Sequence, residues 1–234
     1  MGKHAGPLMA LTLGALASGC VLTLPTEMEN SELERMIAAG DWSAIAAIPV
    51  LCITQTDACA ARHATRADAC LRLVIQQPGS ASAQDARIRE LLDCAETEYR
   101  SALERQPSSS STSRISFHGG LLLTLSERRN RLMDGTDRQQ LAAANELLLS
   151  AAAAARRDAP DSAMGFLYGA SAHVYRAALE AEQTRRCADL YQARTLLQRS
   201  PAPPTELQQE QQRIQALVRR QLQDNGCRSR PGTR

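Results

Sequence analysis

Between Asp85 and Arg105 the apolar side chains Ile88, Leu91, Leu92, Ala95, Tyr99, Ala102 and Leu103 recur at three- and four-residue steps. That spacing gathers them on one stripe of an α-helix, whereas a strand would alternate every second residue. A stripe of this kind finds cover only against another layer of structure. Here the rest of the chain offers helices alone: Ala, Leu, Gln, Glu and Arg dominate, and all are strong helix formers. Aromatic residues make up only 3% of the chain, β-branched residues are few, and no alternating run occurs. The fold class is therefore all-α.

Breakers divide the chain into segments. Asn30 or Ser31 is expected to cap a first helix that ends at Gly40-Asp41, and Trp42 to Ile48 forms a second, stopped at Pro49. Ala58 to Gln76 and Asp85 to Arg105 follow, separated by Pro78-Gly79-Ser80. Gln106 to Ser113 reads as a flexible Ser-rich loop. Further helices run over Arg114 to Met133, Asp137 to Arg157, Ala163 to Glu182, Arg186 to Arg199, and Thr205 to about Asp224. Ala163 to Glu182 is apolar almost all round, so it is expected to be the most buried.

The N-terminus carries a different signal. Lys3 and His4 precede an apolar run from Pro7 to Ala17, then Ala17-Ser18-Gly19-Cys20. The run is shorter than the about 20 residues of a spanning helix and has the flanks of a secretory signal. The stretch resembles the lipobox of bacterial lipoproteins, although Leu16 lies one place before the family's preferred leucine position. The resemblance implies cleavage of residues 1–19 as a signal peptide and acylation of Cys20, palmitate being a typical chain. Val21 after the cysteine resembles the pattern sorted to the outer membrane, with the body facing the periplasm. Residues 20–30 would then be a lipidated tether, 31–227 a helical-repeat domain and 228–234 a polar tail.

With Cys20 lipidated, Cys52, Cys59, Cys70, Cys94, Cys187 and Cys227 remain, an even number that suits disulfides in an oxidising compartment. Many pairings are open. Ser80 lies 10 residues after Cys70 and 14 before Cys94, so a hairpin brings those two level. Cys52–Cys59 would close a short loop, leaving Cys187–Cys227 to staple the last helix. No C-x-x-C pair and no His at zinc-finger spacing occurs, so no metal site and no cofactor is assigned.

Parts of the chain resemble the tetratricopeptide repeat. Gly40-Asp41-Trp42 matches its internal turn, Tyr168-Gly169 and His118-Gly119 sit where Leu-Gly belongs, and Ala188 and Ala193 fit small second-helix positions. Pro107, Pro160 and Pro201 each follow a second helix. The resemblance is degenerate over residues 31–204, its unit stretched beyond the usual length of about 34 residues. It implies antiparallel helix pairs stacked as a solenoid; a plain bundle is the competing architecture. His63, His118 and His173 fall 55 residues apart, each in the first helix of a pair. The simpler reading makes them ordinary semi-buried residues; the sharper one makes them line a groove that binds metal or senses pH.

Chemistry-bearing motifs are missing. No phosphate-binding loop, G-x-S-x-G elbow or H-E-x-x-H occurs, and enzyme activity is not expected. Arg156-Arg157 and the trio Arg128, Arg129 and Arg131 read as solvated helix faces, so nucleic acid is not an expected partner. The repeat resemblance implies a protein–protein adaptor with a groove along the first helices. His63, Arg66, His118, Leu122, Tyr168, His173 and Arg176 are the groove candidates. Lipidated proteins of this kind include components of outer-membrane β-barrel assembly and pilotins of secretins, which implies partners in an envelope complex. The alternative resemblance is to helical lipoproteins that accompany tripartite ATP-independent solute transporters and bind a small ligand or a solute-binding protein. A closed apolar pocket would favour that alternative, an open groove the adaptor.

Overall fold

A computed structural model describes residues 26–77, 85–107, 111–132 and 137–227, with backbone alone for 26–30 and 111. The lipobox, Cys20, the Pro78-Gly79-Ser80 turn and the tail lie outside these residues. The described residues form nine helices and no strand: α1 (Thr26–Ala39), α2 (Trp42–Ala47), α3 (Asp57–Ile75), α4 (Ala86–Arg105), α5 (Ser111–Arg131), α6 (Arg138–Asp158), α7 (Met164–Leu179), α8 (Gln183–Arg199) and α9 (Thr205–Asp224). None of them is long and apolar enough to cross a membrane.

Local chemistry fixes most boundaries. The carboxylates of Asp41, Asp85 and Asp137 and the hydroxyl of Thr56 accept from backbone N–H groups in the first turns of α2, α4, α6 and α3. Gly40 ends α1 with φ +66°, and the Asp41 N–H donates to the Met36 carbonyl, closing a left-handed cap that a Cβ would strain. Several boundaries differ from the sequence reading, α8 among them, which starts at Gln183 rather than Arg186. α1 starts at Thr26 rather than Asn30, and the helical backbone runs on through Asn30 and Ser31. Gln106, assigned to a flexible loop, is 5% exposed and donates from its amide to Asp57. α5 likewise begins at Ser111, three residues earlier than read.

Each helix packs on the next in sequence. In addition α3 touches α5, α5 touches α7, and α7 touches α9, whereas α4–α6 and α6–α8 make no comparable contact. Helices α3, α5, α7 and α9 thus touch one another in series. α7 lies against four others, α5, α6, α8 and α9, as its all-round apolar pattern requires. Small residues allow that approach: a Cβ on Gly165 would lie 3.0 Å from the Ala152 carbonyl oxygen, and one on Gly120 would land in the Tyr99 ring. Ala152, Ala170, Ala172 and Ala193 are fully buried for the same reason, whereas Ala188 is exposed.

The main core joins α3 to α6 around Leu92, Leu122, Leu125 and Leu148. A second cluster joins α7, α8 and α9 around Leu167, Leu197, Ile214 and Val218. Disulfides Cys52–Cys59, Cys70–Cys94 and Cys187–Cys227 secure the array. They close loops of 7, 24 and 40 residues. By loop-closure entropy these are worth roughly 2.5 to 4 kcal/mol each.

Candidate functional site

The three evenly spaced histidines share one structural role. Each reaches from an odd helix to a carboxylate on the following helix, and each carboxylate also takes an arginine from the odd helix. His63 Nδ1 lies 2.5 Å from Glu98 Oε2, and Arg66 Nη1 donates to Glu98 Oε1 at 2.5 Å. His118 Nε2 lies 3.1 Å from Asp158 Oδ2, which accepts from Arg114 Nη2 at 3.0 Å. His173 Nδ1 lies 2.9 Å from Asp189 Oδ1, which accepts from Arg176 Nη2 at 2.6 Å. These are interhelix clasps, with His63 and His118 buried at 7% and 4% exposure. Burial holds the pKa of His118 and of His173 below the ordinary value, despite the carboxylate beside each. Burial raises Asp158, but the hydrogen bonds from Arg114 and His118 outweigh it and leave its pKa low.

Of the groove candidates, His63 and His118 therefore belong to clasps within the array. Leu122 is fully buried in the core and faces no groove. His173 and Arg176 are half-buried in the third clasp. Arg66 also donates to the Ala46 carbonyl and lines a hollow of about 340 Å³ beneath α1 and the exposed loop carrying Leu51. Tyr168 lines a separate cavity at the α5–α7–α9 junction. Among the described residues, Cys52, Cys59 and His63 bring ligand-type atoms within 4.8 Å of one another, but both sulfurs are held in the disulfide.

Two of the hollows open against α5. The larger, about 620 Å³, is an open groove between Arg72 and Ile75 of α3, Ile115 and Leu123 of α5, and Met164 of α7, floored by Tyr99. Tyr99 donates its hydroxyl to Asp68, and burial raises its pKa above the ordinary tyrosine value. Ile75 and Ile115 are 52% and 37% exposed, an apolar lip on each side. The smaller, about 190 Å³, contains a group that the sequence reading misplaced. Arg129, read as part of a solvated face, is 2% exposed, and Arg131 is 8% exposed with its Nη2 donating to the Val74 carbonyl at 2.8 Å. The signal for Arg129 was its register: it follows Leu122 and Leu125 by seven and four residues on the buried stripe of α5.

No family model, no curated protein and no solved structure matches this chain.

Proposed function

We propose that this protein is a lipid-anchored periplasmic adaptor, a tetratricopeptide-like solenoid that holds a segment of an envelope protein partner along its odd-numbered helices. The observation that carries the reading is the open 620 Å³ groove, framed by α3, α5 and α7, which touch one another in series. Stacked helix pairs with one continuous inner face are how solenoids build extended binding surfaces. The three clasps hold the geometry of each pair, so the groove is pre-formed and little ordering opposes binding. Three disulfides suit an oxidising compartment. Anchoring at Cys20 to the outer membrane would set the α1–α2 end near the lipid surface, where Leu51 and Ile53, 84% and 79% exposed, can rest on it.

Site-specific photo-crosslinking in cells tests the adaptor. A crosslinker at Ile75 or Ile115 is expected to capture one envelope protein, while one at Leu147, exposed on α6 outside the groove, is expected to capture none. Equal capture from both faces, or from neither, would remove the groove from consideration. Intact-mass measurement tests the anchor: loss of residues 1–19 and added acyl mass are expected, and an uncut chain sinks it. The alternative, an accessory of a solute-uptake system, draws support from the smaller cavity around Arg129.

A further inference from the structure

We propose that the cavity at the α5–α7–α9 junction binds a small organic monocarboxylate on the Arg129 guanidinium. This inference stands on the cavity alone and holds whether or not the groove binds a protein.

Charges deep in a protein are as a rule paired, because leaving water without an opposite charge is costly. Arg129 is the largest of the fully buried side chains, yet no carboxylate among the described residues lies within ion-pair distance of it; Glu210, on the cavity wall, acts on it only through space. Its acceptors are all neutral. Asn130 Oδ1 accepts at 3.1 Å, while Asn145 Oδ1, Ser171 Oγ and Ser126 Oγ lie at 3.4, 3.3 and 3.5 Å. The last three are longer than ordinary hydrogen bonds, so the five N–H donors of the fork are only loosely met. The Tyr175 ring lies 3.7 Å from the guanidinium carbon, covering one face. Burial pulls the pKa of Arg129 down, but a guanidinium remains protonated at neutral pH.

The carboxylates on the cavity wall are already engaged. Glu210 accepts from Arg213 at 2.6 and 2.7 Å, and Glu127 pairs with Arg131 at 3.5 Å. An anionic ligand would supply the charged acceptor that the neutral groups do not, and a planar fork suits a carboxylate through two parallel hydrogen bonds. A dianion such as phosphate would bring a second negative charge towards Glu127 and Glu210. The remaining walls, Tyr168, Leu207 and Ile214, offer apolar surface for a short organic body. At about 190 Å³ the space is below the roughly 300 Å³ minimum of drug-sized pockets, so the ligand is small.

Calorimetric titration of the full-length chain with acetate, butyrate, hexanoate, benzoate and phenylpropionate tests this, with the matching amides and inorganic phosphate as controls. At least one carboxylate is expected to bind with unit stoichiometry, and about 10-fold or more tighter than its amide. Arg129→Met should abolish that binding while the ligand-free variant melts no lower than the parent. Should Arg129→Met fail to fold, Ser171→Leu, which fills the cavity and keeps the guanidinium, should lose binding instead. Any of four results overturns the proposal: no saturable carboxylate binding, equal affinity for acid and amide, preference for phosphate, or binding that survives either variant.

Discussion

Glu98 and Arg129 are both buried charges, and the molecule treats them in opposite ways. Around Glu98 the carboxylate has a histidine and an arginine at 2.5 Å, all three supplied by α3 and α4. Around Arg129 the charge has only amides, hydroxyls and a ring. The first arrangement recurs at Asp158 and Asp189, one per helix pair, and the second occurs beside a cavity. A buried charge compensated inside the chain is part of the scaffold. One left uncompensated next to empty space is a place where something else can supply the counter-charge.

Removing Glu98 should give the largest effect. Glu98→Ala strands His63 and Arg66 across the α3–α4 seam, and breaking a buried ion pair from one side costs about 3 kcal/mol. Urea denaturation should show that loss, and Arg66→Met added to it should recover part, since the two groups are coupled. A loss within the scatter of surface variants would mean that Glu98 is not a structural partner. The opposite sign is expected at the cavity. Arg129→Met replaces an unpaired buried cation with a side chain of similar reach, which should stabilise the ligand-free protein by about 1 kcal/mol. If instead it destabilises as strongly as Glu98→Ala, the neutral acceptors are satisfying the guanidinium and the contrast collapses.

The helical segments were legible because their punctuation is local. Gly40, Asp85, Asp137 and Pro201 act on the backbone within one turn, and a hairpin counted along the chain brings Cys70 and Cys94 level, though the count alone left the pairings open. The clasps were only half legible. The histidine period is visible, but the carboxylates lie 35, 40 and 16 residues further on, because turn lengths and positions along the second helix differ. The arginines three or four residues from each histidine, Arg66, Arg114 and Arg176, were the available clue. Arg129 was hidden by composition: within Glu127-Arg128-Arg129-Asn130-Arg131 it looks like solvated surface, and only its register with Leu122 and Leu125 says otherwise. Which helices touch beyond their sequence neighbours is a tertiary property that the local pattern does not encode.

Smaller effects should grade with exposure along the clasps. Asp158 is 36% exposed at its side chain, so water can replace it as a partner for Arg114. Asp158→Ala is therefore expected to cost about 1 kcal/mol or less, well under Glu98→Ala, by the same urea measurement. Equal losses at the two positions would show that exposure does not set the strength of a clasp.

The smallest effect is a pH dependence that distinguishes the later clasps from the cavity. His118 and His173 have folded-state pKa values below the unfolded 6.5. Just below pH 6.5 the unfolded chain therefore holds protons that the folded chain refuses, so stability rises with pH across that window and falls on acidification. Asp158, with its pKa held below 3.8, adds a loss of the same sign only at lower pH. The urea midpoint should fall between pH 7.5 and 5, and His118→Gln with His173→Gln should flatten that slope. Arg129→Met should leave the slope unchanged, because a guanidinium does not titrate in this range. A midpoint that rises on acidification would mean that the carboxylates, rather than burial, govern these histidines, and that the clasps tighten on protonation.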